Sequence, residues 1–79
     1  MDRENVVEKL TGIFRQVFAN DTLVVTDELT ANDVANWDSL SHMLLIAEVE
    51  TGFSIKFKLK DLNKMHKVGD MIDIILTKL

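Results

Sequence analysis

The chain has no cysteine and no proline, and only three glycines. Without cysteine there is neither a disulfide framework nor a thiolate metal site. Two histidines, His42 and His66, are too few to suggest a zinc centre. No stretch approaches the roughly 20 apolar residues needed to span a bilayer. The opening residues Met1-Asp2-Arg3-Glu4-Asn5 are charged and run straight into a helical pattern, which is not the pattern of a secretory signal. A cytoplasmic protein is the expectation.

Positive charge is also scarce. Nine basic residues face thirteen acidic ones, for a net charge of −4. Phosphate-backbone binding needs clustered positive charge, so nucleic acid is excluded as the main partner. The imbalance is uneven. Residues 1–52 carry three basic and ten acidic side chains, whereas residues 53–67 carry five lysines and only Asp61. An acidic body with one basic segment implies that charge helps to choose partners.

What remains is a pattern of helices. The 79 residues fit one domain, spanning 1–79. Such a chain buries roughly 60–65% of its surface, which leaves little room for a deep enclosed active site. Val6, Leu10, Ile13, Phe14 and Val17 recur at helical spacing and predict a first helix ending near Ala19-Asn20-Asp21. Residues 20–37 are rich in Asn, Asp and Thr and form a long connection, with Leu23, Val24, Val25 and Leu29 as its anchors. A loop of that length is either functional or a plain span between the ends of a bundle.

A second helix is expected from Asp38-Ser39 to about Thr51, with Asp38 as its N-cap and Gly52 as its stop. Phe53, Ile55, Phe57 and Leu59 then alternate with polar residues, as in a strand, but no second strand pattern exists to pair with it. Residues 53–58 are therefore read as extended chain and 59–65 as a short helix. Val68, Met71, Ile72, Ile75 and Leu79 mark a last helix. The expected fold is all-α, with three main helices, one short helix and a long loop between the first and second.

Ser39 lies where that loop meets the second helix. Amides of a first helical turn are free and the dipole favours negative charge there, so a phosphate ester on Ser39 would sit in a favourable field. On the residues alone, a plain capping role remains open. Nucleophilic catalysis is disfavoured, because no Gly-x-Ser-x-Gly elbow is present and His42, three residues on, has no orienting third group. No catalytic residue and no metal ligand are assigned.

Trp37-Asp38-Ser39-Leu40 resembles the attachment motif of acyl carrier proteins. So do, in order, the first amphipathic helix and long loop, then Glu50-Thr51-Gly52-Phe53-Ser54-Ile55, then Asp61-Leu62 and Lys67-Val68-Gly69-Asp70. The resemblance covers nearly the whole chain. It implies an acyl-carrier-like four-helix bundle with 4′-phosphopantetheine on Ser39, flanked by the motif residues Asp38 and Leu40. The arm would hold an acyl or polyketide-type cargo as a thioester, and the protein would not be an enzyme. A phosphopantetheinyl transferase and acyl-loading and acyl-processing enzymes would be its partners, and the carrier a monomer. A D-alanyl or aminoacyl carrier is an alternative, as is a helical interaction module without a prosthetic group.

On a helical wheel, Leu45, Val49, Phe53, Ile46 and Met43 spread over one side of the second helix, extended by Ala47 and Leu40. Met43, Ile46 and Ala47 are the expected lining of an acyl-chain pocket. Ser41, Glu48 and Thr51 share the polar sector with Leu44, and Ser41, Leu44 and Glu48 are the expected partner contacts. Where many fatty-acid carriers present several carboxylates, this face has Glu48 alone, followed by Lys56, Lys58, Lys60, Lys64 and Lys67. That departure points to a specialised pathway rather than general fatty-acid biosynthesis.

Overall fold

A computed structural model describes residues 1–79 and contains four α-helices: α1 (Arg3–Val17), α2 (Ser39–Phe53), α3 (Leu59–Asn63) and α4 (Val68–Lys78). There is no strand, and one turn of 3-10 helix interrupts the long loop at Ala31–Asp33. The chain is therefore all-α, as its periodicity requires. No helix is long and apolar enough to cross a membrane.

α1 packs against both α2 and α4. Its inward stripe Val6, Leu10 and Phe14 is fully buried, and Phe18 continues it just past the helix end. Leu45 and Val49 of α2 and Met71, Ile72 and Ile75 of α4 meet that stripe in one core. Leu79, expected to extend the α4 stripe, lies beyond the last turn and is exposed.

The long loop is moored at several points. Val25 and Val34 are buried and Leu23 and Leu29 half-buried, while Val24 points outward, contrary to expectation. Consecutive residues of an extended segment face opposite ways, so Val24 and Val25 cannot both enter the core. The loop's backbone also finishes α4. Val68 N–H donates to Leu29 O at 2.8 Å and Gly69 N–H to Asp27 O at 2.9 Å, which satisfies amides that a helix start leaves free. Gly69 allows that approach, since a Cβ there would lie 3.0 Å from Asp27 O. Arg3 ties α1 to both partners, with Asp73 at 2.7 Å and Asp27 at 2.9 Å.

The C-terminal end of α2 departs from the sequence reading. Gly52 does not stop the helix; it lies in the last turn, where an added Cβ would come within 3.0 Å of Ile13 Cδ1. Its smallness serves the approach of α1. The left-handed cap falls two residues later, on Ser54 at φ 57°. Phe53, expected in the extended segment, is the last residue of α2 instead, and it and Ile55 just past the cap are both buried. Phe57 N–H donates to Glu50 Oε2 at 2.8 Å, so this segment needs no strand partner. α3 ends at Asn63, two residues earlier than expected, and Lys78 Nζ holds it to α4 through Asp61 Oδ2 at 2.9 Å.

Candidate functional site

Ser39 is the first residue of α2 and is exposed. Two devices fix its place. The first is a reciprocal cap between Asp38 and Ser41. Asp38 Oδ1 accepts from Ser41 N–H at 2.9 Å, and Ser41 Oγ accepts from Asp38 N–H at 2.8 Å. Ser41 Oγ then donates to the carbonyl of Asn36, a residue at φ 71°, at 2.7 Å. The Ser41 amide, and after it the Ser41 hydroxyl, hold the Asp38 carboxyl below its usual range. The hydroxyl of Ser41, expected as a partner contact, also serves this cap, because a serine at the third helical position reaches back to the N-cap amide. The Asp-x-x-Ser spacing carried that signal.

The second device is aromatic. Trp37, two residues before Ser39, packs its indole edge-on to Phe14 (centroids 5.4 Å, interplanar 83°) and beside Phe18 at 5.4 Å. The His42 ring lies nearly parallel beside it, with centroids 6.1 Å apart and an interplanar angle of 17°. The indole Nε1–H donates to His42 Nδ1 at 3.1 Å. Trp37 thus anchors the end of the long loop in the core while its neighbours stay in water. Burial of the His42 ring shifts its pKa down from the ordinary value, so the neutral ring is favoured. Neither side chain was assigned a site role from sequence; Trp37 was read only as a motif letter. No local pattern predicts their pairing with each other or with α1.

A cleft of about 530 Å³ opens beside Ser39. Trp37, Ser39, His42 and Met43 form one side, and Met65, Val68 and Met71 the other. Three of the chain's four methionines line it, which makes an adaptable apolar wall. Asp38, His66 and Lys67 supply the ionisable groups at its rim.

The three residues expected to line an acyl pocket do not meet there. Met43 lines the cleft, Ile46 is buried in the core and Ala47 is exposed. At i, i+3 and i+4 the three share one broad side of α2, but Ile46 falls at its buried edge and Ala47 at its exposed edge. Leu40 is 82% exposed and Leu44 52%, and both join Met43 around a shallow depression on the outer side of α2. Glu48 is exposed one turn farther along.

The arrangement offers an exposed hydroxyl at a helix N-terminus beside an apolar cleft with a few polar groups. His42 Nδ1, engaged by Trp37, is not free to act as a base toward Ser39.

No family model matches the chain. Over 98% of its length it is 32% identical to an acyl carrier protein of Thermotoga maritima, of which it covers 95%. It is 28% identical to an acyl carrier protein of an Exiguobacterium species, with 100% of both chains covered. It is similar to the solution NMR structure of holo acyl carrier protein from Geobacter metallireducens, with a TM-score of 0.88 and 49% identity over 92% of this chain and 84% of that one.

Proposed function

Because the chain belongs to the acyl carrier protein family, and so is a carrier rather than an enzyme, we propose that Ser39 bears a 4′-phosphopantetheine arm, installed by a phosphopantetheinyl transferase. The observation that carries this reading is the placement of Ser39: exposed, first in α2, and on the wall of the methionine-lined cleft. A phosphodiester on Ser39 would meet the positive end of the α2 dipole. Lys67 across the cleft offers a counter-charge. The holo form of the Geobacter metallireducens carrier supports the same reading. When attached, the arm supplies a terminal thiol that holds the cargo as a thioester.

The protein's own contribution is position and recognition. Asp38 and Ser41 fix the start of α2, Trp37 fixes the loop before it, and Leu40 and Leu44 stand exposed beside Ser39. Acyl-loading and acyl-processing enzymes would read that surface. The cargo is an acyl or polyketide-type group of a specialised pathway. What supports this is polarity: the outward face of α2 shows Glu48, while Lys56, Lys58, Lys60 and Lys64 stand exposed on the following segment and α3. A partner for this surface carries carboxylates where a partner for an acidic face would carry cations.

Intact mass before and after incubation with coenzyme A, magnesium and a broad-specificity phosphopantetheinyl transferase tests the attachment, with Ser39→Ala as control. The expected result is a gain of one phosphopantetheine that Ser39→Ala does not show. An unchanged mass in folded protein that arrived unmodified would overturn it. The pathway is tested by exchange: a general fatty-acid synthase that used this chain as well as its own carrier would contradict a specialised role.

A further inference from the structure

His42 faces two ways, and only one of them is used. Its Nδ1 accepts the Trp37 indole N–H at 3.1 Å. An indole nitrogen only donates, so Nδ1 must present its lone pair and the neutral ring carries its proton on Nε2. No side-chain nitrogen or oxygen of the chain is buried without a partner. Nε2–H is therefore not sealed in the interior, and His42 is one of the residues that line the cleft beside Ser39. The ring cannot turn freely, because Trp37 stacks on it at an interplanar angle of 17° while holding Nδ1. The result is a fixed donor in a wall otherwise dominated by Met43, Met65, Met71 and Val68. Apolar pockets take their specificity from a few such polar groups.

We propose that His42 Nε2–H seats an acceptor oxygen of the group tethered to Ser39, holding that group against the methionine wall. The inference rests on the Ser39 attachment. The oxygen has two sources of the same chemistry: an oxygen of the arm itself, or an oxo group on the cargo. His42 acts here as a positioning residue. Trp37 sets its tautomer, and Met43, Met65 and Met71 supply the adaptable contact.

The experiment is NMR of protein labelled in the histidine nitrogens and methionine methyls. Four forms are compared, each verified by intact mass: apo, holo, and holo loaded with a saturated acyl group or with its 3-oxo counterpart of equal length. The expected result is a shift of the His42 Nε2 resonance together with the Met43, Met65 and Met71 methyls. A shift already present in holo assigns the oxygen to the arm. A shift confined to the 3-oxoacyl form assigns it to the cargo. Identical resonances in all four forms would overturn the proposal. If the arm never attaches, mass alone reveals it, and the Ser39 reading fails together with this one.

Two variants separate seating from structure. His42→Asn keeps an acceptor near the Nδ1 position but removes the Nε2 donor, so the methyl shifts on loading should be lost while the Trp37 indole signal stays. His42→Gln restores a donor near Nε2 and loses the acceptor, so the methyl shifts should return. A purely structural His42 predicts the reverse order, with His42→Gln the more damaged of the two, and that order would overturn the proposal.

Discussion

The two ends of α2 use similar side chains for opposite purposes. In its first six residues the apolar side chains Leu40, Met43 and Leu44 are 82%, 61% and 52% exposed. From Leu45 onward, Leu45, Ile46, Val49 and Phe53 are buried. Leu44 and Leu45 are adjacent and chemically identical, yet one faces solvent and the other is fully enclosed. The difference is one of neighbours. α1 covers the inner side of α2, and no other helix packs on α2 to a comparable extent. The leucines beside Ser39 stay in solvent, while the same residue on the inner side holds the bundle together.

The largest test of that contrast is a matched pair of truncations. Leu45→Ala should cost about 2–5 kcal/mol, the usual range for a fully buried leucine in a packed core. Leu44→Ala should stay within about 0.5 kcal/mol of the parent, as surface changes do. Urea denaturation followed by circular dichroism reads both. Equal losses would show that the two ends of α2 do not differ as described.

The same contrast marks how far the sequence could be read. Helix number, order and approximate limits followed from apolar spacing, because each helix turns one stripe toward a single shared core. The N-cap at Asp38 followed from local chemistry. The outer face did not follow. A helical wheel groups Met43 and Ala47 with Leu45 and Ile46, because α2 is apolar over more than one face. Which of those faces is covered depends on α1, a residue set more than twenty positions away. Gly52 misled for a related reason: a glycine near a helix end reads as a stop, and only the closeness of Ile13 reveals its packing role. The position of Ser39 at the start of α2 and the Asp38 cap were legible, because the cap partners Asp38 and Ser41 are close in sequence; the far wall of the cleft was not. The Trp37–His42 pair was not, since it depends on Phe14 and Phe18 of the α1 region to hold the indole.

A smaller effect sharpens the comparison at the exposed end. Leu44→Glu replaces an outward apolar side chain near Ser39 and should leave the melting temperature unchanged. Transfer of cargo by a partner enzyme should fall about tenfold, the scale set by loss of one apolar interface contact. The measurement is the transfer rate at fixed carrier concentration, with holo protein confirmed by mass. A loss of stability instead would place Leu44 in the core and remove the basis for treating it as a docking residue.

The smallest effect concerns pH and the one tryptophan. Burial lowers the pKa of His42 in the folded chain relative to the ordinary value of about 6.5. The unfolded chain therefore binds a proton more readily at this position than the folded one. Stability from the neutral ring is fully present above about pH 6.5 and is lost as pH falls through the lower folded value. A protonated Nδ1 cannot accept the indole N–H, so the Trp37–His42 bond breaks in the same window. Asp38, His66 and Lys67 also line the cleft, but burial alone is the cause of the His42 shift. The carboxylates of Asp38, Asp61 and Asp70 are also shifted down, but they titrate below the ordinary carboxyl range of about 4 and so do not overlap with the ring. Trp37 is the chain's single tryptophan and stacks on the titrating ring, so its fluorescence reports the event directly. A change in emission with a midpoint below 6.5 is expected in the parent and absent in His42→Asn. A midpoint at or above 6.5 would mean that the ring is not held neutral by burial, and that the end of the long loop is anchored by the Phe14 and Phe18 contacts of Trp37 alone.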